Sequence, residues 1–242
     1  VFRRGAGSAP PDRIETAASG KRPQSADGRD AAQSESNTPK HSEFIRKLLH
    51  MSPGLLPFAF AVVPHYDPLD WIAQAAIVSC CVVMAIVFLS LYRTVRRPGE
   101  DNLLSTAISY PATVIVTILL FPAHVELMGV VVVVLALGDG AAYIGGKTFG
   151  KRKLPWNPEK TWVGSLSFIA VSGPIATLAY MVLARGDGHH WEIAAACGFA
   201  AAICGSAAES LPVKLTDNLR VGVSSLLAAA ATHHVLVGLT PF

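Results

Sequence analysis

Cysteine is scarce in this chain of 242 residues, with four in all: Cys80, Cys81, Cys197 and Cys204. None is spaced as C-x-x-C and each falls in an apolar run. A disulfide framework and a cysteine metal site are therefore set aside, and the four read as small packing residues. Period-2 alternation is missing from the long apolar runs, which excludes a membrane β-barrel. No internal repeat of about 20–50 residues is evident, which excludes a solenoid or propeller. The N-terminal stretch has no apolar core of the signal-peptide kind.

What the chain has in quantity is hydrophobic residues, 51% of the total, and they come in blocks. A bilayer-crossing helix needs about 20 mostly apolar residues, and in lipid only helices or closed barrels satisfy their backbone. The blocks predict seven helices, at roughly 51–64, 71–92, 103–121, 123–138, 163–184, 191–210 and 221–239. The expected fold is an all-α, polytopic membrane helix bundle spanning 43–242. Residues 1–42, rich in Gly, Ser, Ala, Pro and charge, read as a disordered cytoplasmic tail that cannot bury enough to offset its ordering entropy.

The 20 Lys and Arg residues fix an orientation. Nine precede the first run, three follow the second, five lie between the fourth and fifth, two between the sixth and seventh, and only Arg185 falls on the other side. Cytoplasmic loops carry the excess of Lys and Arg. The pattern places the N-terminus inside and makes the chain a multi-pass protein, expected in a bacterial inner membrane. It also explains the basic clusters without nucleic acid as a partner. Six of the eight histidines fall on the outer side. Neighbouring helical histidines point about 100° apart and no carboxylate lies at i+4 beside them, so they read as interfacial polar residues rather than converging ligands.

Two inward-facing segments carry the chemistry. The first, LGDGAAYIGGKTFGKRKLPWNPEKTWVG at 137–164, sets Asp139 where the fourth helix meets the cytoplasm. An ionisable group at membrane depth is a functional candidate. Gly140, Gly145, Gly146 and Gly150 let backbone approach a ligand, and Lys147, Lys151, Arg152, Lys153 and Lys160 bring positive charge. This suggests a loop that binds phosphate. It is not a P-loop: the first glycine position holds Ala141, and no strand precedes it. Asn157 and Pro158 read as N-cap and first residue of the fifth helix, whose N-terminus would favour an anion. The second segment, AAESLPVKLTDNLRVG at 207–222, brings Glu209, Asp217 and Asn218 to the same face, with Pro212 ending the sixth helix. Three carboxylates and several cations suit a Mg²⁺–nucleotide complex, since magnesium takes oxygen ligands and needs only one or two carboxylates besides phosphate. The small residues Gly198, Ala202 and Ser206 place the sixth helix at the bundle centre.

From about Glu43 to Gly238 the chain resembles the CTP-dependent lipid kinases: dolichol kinase, phytol and farnesol kinase and the yeast-type diacylglycerol kinase. These lie within the phosphatidate cytidylyltransferase superfamily. The likeness rests on EFIRKLLHMSPG, on GDGAAYIGGKTFGKRKLPWNPEKTWVGS and on ESLPVKLTDNLRVG. It implies CTP with Mg²⁺ at the cytoplasmic face and a lipid alcohol as phosphoryl acceptor. Asp139, Glu209 and Asp217 would be catalytic and metal-binding. Gly140, Gly146, Lys147, Lys151, Lys153 and Lys160 would hold phosphates, with Arg46, Lys47, His50 and Asn218 in support. Two departures stand out. Thr216 replaces one of the paired acids before Asn218, and NPEKTW is closer to the cytidylyltransferase form. The terminal K-D-x₅-P-G-H-G-G-x-x-D-R-x-D signature of the cytidylyltransferases is absent, which favours the kinase. A CDP-lipid-forming cytidylyltransferase is the alternative, and a transporter, whose ionisable sites would lie near the midplane, the third reading.

Overall fold

A computed structural model describes residues 48, 50–63, 67–95, 103–184, 191–213 and 215–238. The expected tail at 1–42, Arg46, Lys47, Arg185, Lys214 and three of the outer histidines (His65, His189 and His190) lie outside the described residues.

The architecture is helical. A 3₁₀ turn at Ser52–Leu55 leads into α1 (Leu56–Phe60), followed by α2 (Trp71–Val95), α3 (Leu103–Leu120) and α4 (Val125–Phe149). Next come strands β1 (Lys153–Leu154) and β2 (Asn157–Thr161), then α5 (Trp162–Leu183), α6 (Trp191–Ser210) and α7 (Asp217–Leu236). Each expected apolar run after the first corresponds to one helix, and four helices (α2, α4, α5 and α6) are long and apolar enough to cross a membrane. The first run does not make one. Pro53 and Pro57 lack N–H groups for a continuous helix, and the segment becomes a 3₁₀ turn and a five-residue helix.

Helix α4 is the centre, in place of the expected sixth helix: 78% of its most apolar window is buried, against 50% for α6. The reason is legible in GVVVVVLALG at 129–138, which is apolar all round and can be stable only inside a bundle. Val130, Val131, Val133 and Val134 are fully buried. Helices α5, α6 and α7 pack around α4, and the small residues of α6 do permit close approach. A side chain at Gly198 would meet the Thr177 backbone nitrogen of α5 at 2.7 Å. By contrast α2 presents Ile72, Val83 and Ile86 outward, as a helix facing lipid must.

Two expectations are corrected at the end of the bundle that carries Asp139. The fourth run does not stop near residue 138. Helix α4 continues through Asp139 and the glycines to Phe149, so residues 139–149 are helix, not loop. Interior glycine costs about 1 kcal/mol against alanine, but here the missing side chains admit neighbours. A Cβ at Gly138 would stand 2.2 Å from the Phe168 ring, and one at Gly145 would stand 2.0 Å from Ser167 Oγ. At 25 residues the helix is about 37 Å long, more than a hydrocarbon core of about 30 Å requires.

The second correction is that NPEKT is a strand. Asn157–Thr161 pairs antiparallel with Lys153–Leu154, so the fold is not purely α. Asn157 does not cap α5 because its amide is engaged elsewhere. Its Oδ1 accepts from the Glu159 N–H at 3.1 Å, and its Nδ2 donates to the Ser210 carbonyl at 3.1 Å. Thr161 is the cap instead, its Oγ1 accepting from the Gly164 N–H at 3.1 Å.

Candidate active site

Chain direction brings four termini together. The C-terminal ends of α4 and α6, the N-terminal ends of α5 and α7 and the β-hairpin all lie at one end of the bundle. The hairpin is pinned to α6: Trp156 Nε1 donates to Ser210 Oγ at 3.2 Å, beside the Asn157–Ser210 bond. Trp156 also meets Trp162 edge to face, with ring centroids 5.6 Å apart. The anchoring aims Lys160 inward. Its Nζ donates to Glu209 Oε1 at 2.5 Å and stands 3.9 Å from Asp217 Oδ2.

Glu209 is buried, Lys160 half-buried and Asp217 exposed. Asp139 on α4 is close enough for its charge to act on both Lys160 and Glu209. Burial alone would lower the Lys160 pKa, but Glu209, then Asp217 and Asp139 outweigh it, and the ammonium is held above the ordinary lysine range. Thus Glu209 and Asp217 lie against one cation, and the charge of Asp139 acts on it as well. Asp217 is further held by Arg220, which hydrogen-bonds it and donates to the Ala208 and Leu211 carbonyls at 2.9 and 2.6 Å. Arg220 so ties the end of α6 to the start of α7. Sequence reading passed over it, although Asp217 and Arg220 at i,i+3 on a helix are a readable ion pair.

The other candidates are spread around this core. Lys147 is exposed in the last turn of α4, its Nζ 2.7 Å from the Tyr143 hydroxyl and 4.9 Å from that ring's centroid. Lys151 and Lys153 are exposed on the hairpin side, and Asn218 is half-buried in the first turn of α7. Gly140 and Gly146 are inside α4, so the reason first given for them, open loop backbone, does not hold. A Cβ at Gly140 would strike Met51, and one at Gly146 would come 2.9 Å from Thr161 Oγ1.

An apolar groove opens among the helices before and at the start of α4. A cavity of about 380 Å³ opens between α1, α2, α3 and α4, lined by Phe60, Ile77, Cys81, Val114 and Val132 among others. A smaller hollow sharing Leu56, Cys80, Cys81, Val114 and Val132 extends it toward Pro53 and Tyr110. Beyond Tyr110 lies His50, the two rings edge to face at 5.8 Å. Met51, next in the chain, packs on Gly140, the neighbour of Asp139. Side-chain contacts through Tyr110, His50 and Met51 thus link the smaller hollow to the α4 turn that carries Asp139.

The model of the cytidylyltransferase family matches residues 37–212, which covers Asp139, Lys160 and Glu209 and stops before Asp217 and Asn218. Phytol kinase 1, chloroplastic, of Arabidopsis thaliana is 30% identical over 144 residues, covering 57% of this chain and 47% of that protein. Probable phytol kinase 2, chloroplastic, of Oryza sativa subsp. japonica is 27% identical over 206 residues, 76% and 64% of the two chains. Farnesol kinase, chloroplastic, of Arabidopsis thaliana is 26% identical over 199 residues, 77% and 64%. The chain spans about half to just under two thirds of the length of these relatives. All three are named as chloroplast proteins, so they lend no support to the expected bacterial membrane. No solved structure matches.

Proposed function

The chain belongs to the cytidylyltransferase family, and we propose that it is the lipid-kinase variant of it, transferring the γ-phosphoryl of CTP to the hydroxyl of a membrane isoprenoid alcohol at the cytoplasmic face. The observation that carries this reading is the placement of Glu209 and Asp217 against Lys160, with the charge of Asp139 acting on it and an apolar groove linked to the same α4 turn. The names of the phytol and farnesol kinase relatives supply the acceptor class.

Phosphoryl transfer asks little covalent chemistry of a protein; positioning and charge neutralisation do most of it. The acids fit Mg²⁺ by donor type, since all are hard oxygen ligands and outnumber the one ammonium among them. Asp139 and Glu209 would hold the ion, with Asp217 beside them. Bound there with the nucleotide, Mg²⁺ supplies charge neutralisation at the phosphate oxygens.

The chain's own groups do the rest. Lys160, held cationic by its acidic neighbours, offers its ammonium to a phosphate oxygen once the nucleotide competes with Glu209 for it. Lys147, Lys151 and Lys153, exposed at this end of the bundle, draw the triphosphate in, and Gly140 and Gly146 serve it indirectly, by letting Met51 and Thr161 pack on α4. Asp217 and Asn218 orient the acceptor hydroxyl. The alcohol's hydrocarbon chain lies in the groove of Cys81 and Val114, which brings its hydroxyl up past Tyr110 and His50. Arg46 and Lys47 precede His50 in the sequence and carry positive charge.

The test is incubation of the purified chain in lipid nanodiscs with γ-labelled CTP and a panel of phytol, farnesol, a polyprenol, diacylglycerol and a phosphatidate. Label on an alcohol with release of CDP is expected. The family name and the NPEKTW segment favour one second reading, formation of a CDP-lipid from a phospholipid acceptor. Pyrophosphate release and an unlabelled CDP-lipid would establish that reading and overturn the kinase.

A further inference from the structure

The end of the bundle opposite Glu209 holds a second polar cluster. His124 precedes α4, Glu126 lies in its first turn, His233 lies near the end of α7 and Tyr180 near the end of α5. Glu126 and His233 are 5% and 3% exposed. His124 Nδ1 is 3.0 Å from Glu126 Oε1, and His233 Nδ1 is 3.9 Å from the same oxygen. The two imidazole rings meet at 4.6 Å between centroids. The Tyr180 hydroxyl is 2.9 Å from His233 Nδ1 and fixes that ring.

The sequence pattern argued against convergence here, because His233 and His234 point in different directions and no carboxylate lies at i+4. The fold removes both objections. Only His233 turns inward, while His234 is exposed. The carboxylate comes from another helix altogether.

We propose that His124, Glu126 and His233 form a binding site for one divalent transition metal of the zinc class, tying the start of α4 to the end of α7. Two donors bound 2.0–2.1 Å from a tetrahedral ion stand roughly 3.3 Å apart. The separations of 3.0 and 3.9 Å bracket that value, and one donor atom from each of the three residues lies within 4.8 Å of the others. Two imidazoles with one carboxylate suit zinc and neighbouring first-row ions. They are a poor set for magnesium, which demands oxygen ligands. The Tyr180 hydroxyl meets the same His233 Nδ1 that stands near Glu126, so a metal bound at that nitrogen displaces the tyrosine hydrogen bond. A bound dication also offsets the cost of burying Glu126 away from water. The site is independent of the kinase reading and makes no use of the groups around Lys160.

The experiment uses the whole chain in detergent, carrying an affinity tag without histidines, stripped with chelator and then titrated with Co²⁺ and Zn²⁺. One equivalent of metal per chain, a tetrahedral Co²⁺ visible spectrum and a Zn²⁺-dependent rise in melting temperature that Mg²⁺ does not reproduce are the expected results. His233→Gln and Glu126→Gln should each lower affinity at least tenfold, while His234→Gln should bind as the wild type does. Because the buried variants can fail to fold, His124→Gln, at the partly exposed edge of the cluster, provides a second loss-of-binding test. Absence of stoichiometric binding to the folded wild type overturns the proposal. So does binding unchanged in a folded His124→Gln or His233→Gln, which would assign the metal to other side chains.

Discussion

Lys160 and Glu209, 49 positions apart, meet through a 2.5 Å hydrogen bond that joins strand β2 to the last turn of α6. The strand puts Lys160 at the end of a helix it does not belong to. Two side-chain bonds from Trp156 and Asn157 to Ser210 hold it there. The pair is thus as much a consequence of the hairpin as of the two residues. In this one contact the anchoring of the bundle end and the charge arrangement of the site are the same interaction.

The first consequence concerns stability. Glu209 has 4% of its side chain exposed and Lys160 30%, so removing one partner leaves a charge or a polar group poorly solvated. Lys160→Met is expected to cost about 3 kcal/mol, in the range for breaking a buried pair. Lys160→Met with Glu209→Gln should cost less than the sum of the two single changes, as contacting residues do. Thermal melts of the four proteins of this cycle in one detergent provide the check; strictly additive costs would show that the pair does not couple.

Catalysis should separate from that effect at Asp139. It is half-buried on the face of α4 that looks toward Lys160 and Glu209. Asp139→Asn keeps its shape and removes its charge. Turnover with γ-labelled CTP should fall at least about 10²-fold, comparable with losing one electrostatic element of a preorganised site. The melting temperature should move little. Retention of most of the activity by the folded variant would remove Asp139 from the machinery.

The charge state of Lys160 gives a pH dependence whose sign can be worked out. Its folded pKa is raised above the ordinary value of 10.5. A raised lysine pKa contributes stability that is fully present below the unfolded value and is lost as pH rises through the folded one. The melting-temperature gap between wild type and Lys160→Met should therefore hold constant from pH 7 to about pH 9.5 and shrink only above the ordinary lysine pKa. A gap that closes between pH 7 and 9 would mean that the ammonium is not held by its carboxylates.

The helices were readable in the sequence because blocks of Val, Leu, Ile and Ala leave lipid-exposed backbone no other arrangement. Asp139, Glu209, Asp217 and Lys160 were readable for a related reason: charge beside such blocks is costly, and where it occurs it stands out. Local geometry was hidden where two signals competed. Asn157-Pro158 looks like a cap because those residues favour caps, yet the Ser210 carbonyl captured the asparagine amide. The glycines of 138–150 looked like a loop because glycine is a poor helix former, yet Phe168, Met51, Ser167 and Thr161 occupy the space they leave. Both errors came from partners distant in sequence. The same blindness concealed the meeting of His124, Glu126 and His233.

That account of the glycines can be tested at Gly138, where an added Cβ would lie 2.2 to 2.6 Å from atoms of the fully buried Phe168 ring. Gly138→Ala should destabilise by about 1–3 kcal/mol, the usual range for overpacking, despite alanine's better helix propensity. Phe168→Leu in the Gly138→Ala background should recover part of the loss. A Gly138→Ala protein more stable than wild type would imply that α4 and α5 are further apart than the structure has them.

The groove yields the last expectation. Cys81 lines both the 380 Å³ cavity and its smaller extension and is only partly buried. Enlarging it should narrow the groove without overfilling the core, whereas the same change at Val114, 5% exposed, would strain α3. If the hydrocarbon chain of the acceptor lies there, Cys81→Phe should raise KM for a twenty-carbon isoprenoid alcohol by about tenfold or more, the scale on which one or two methylenes discriminate in an apolar pocket. The KM for CTP should be unchanged, because the nucleotide groups stand at the bundle end. A short alcohol that never fills the groove should lose much less. Equal losses for long and short alcohols would place the chain outside this groove, and a change in the CTP KM alone would show that the groove and the acidic cluster are not arranged as separate halves of one site.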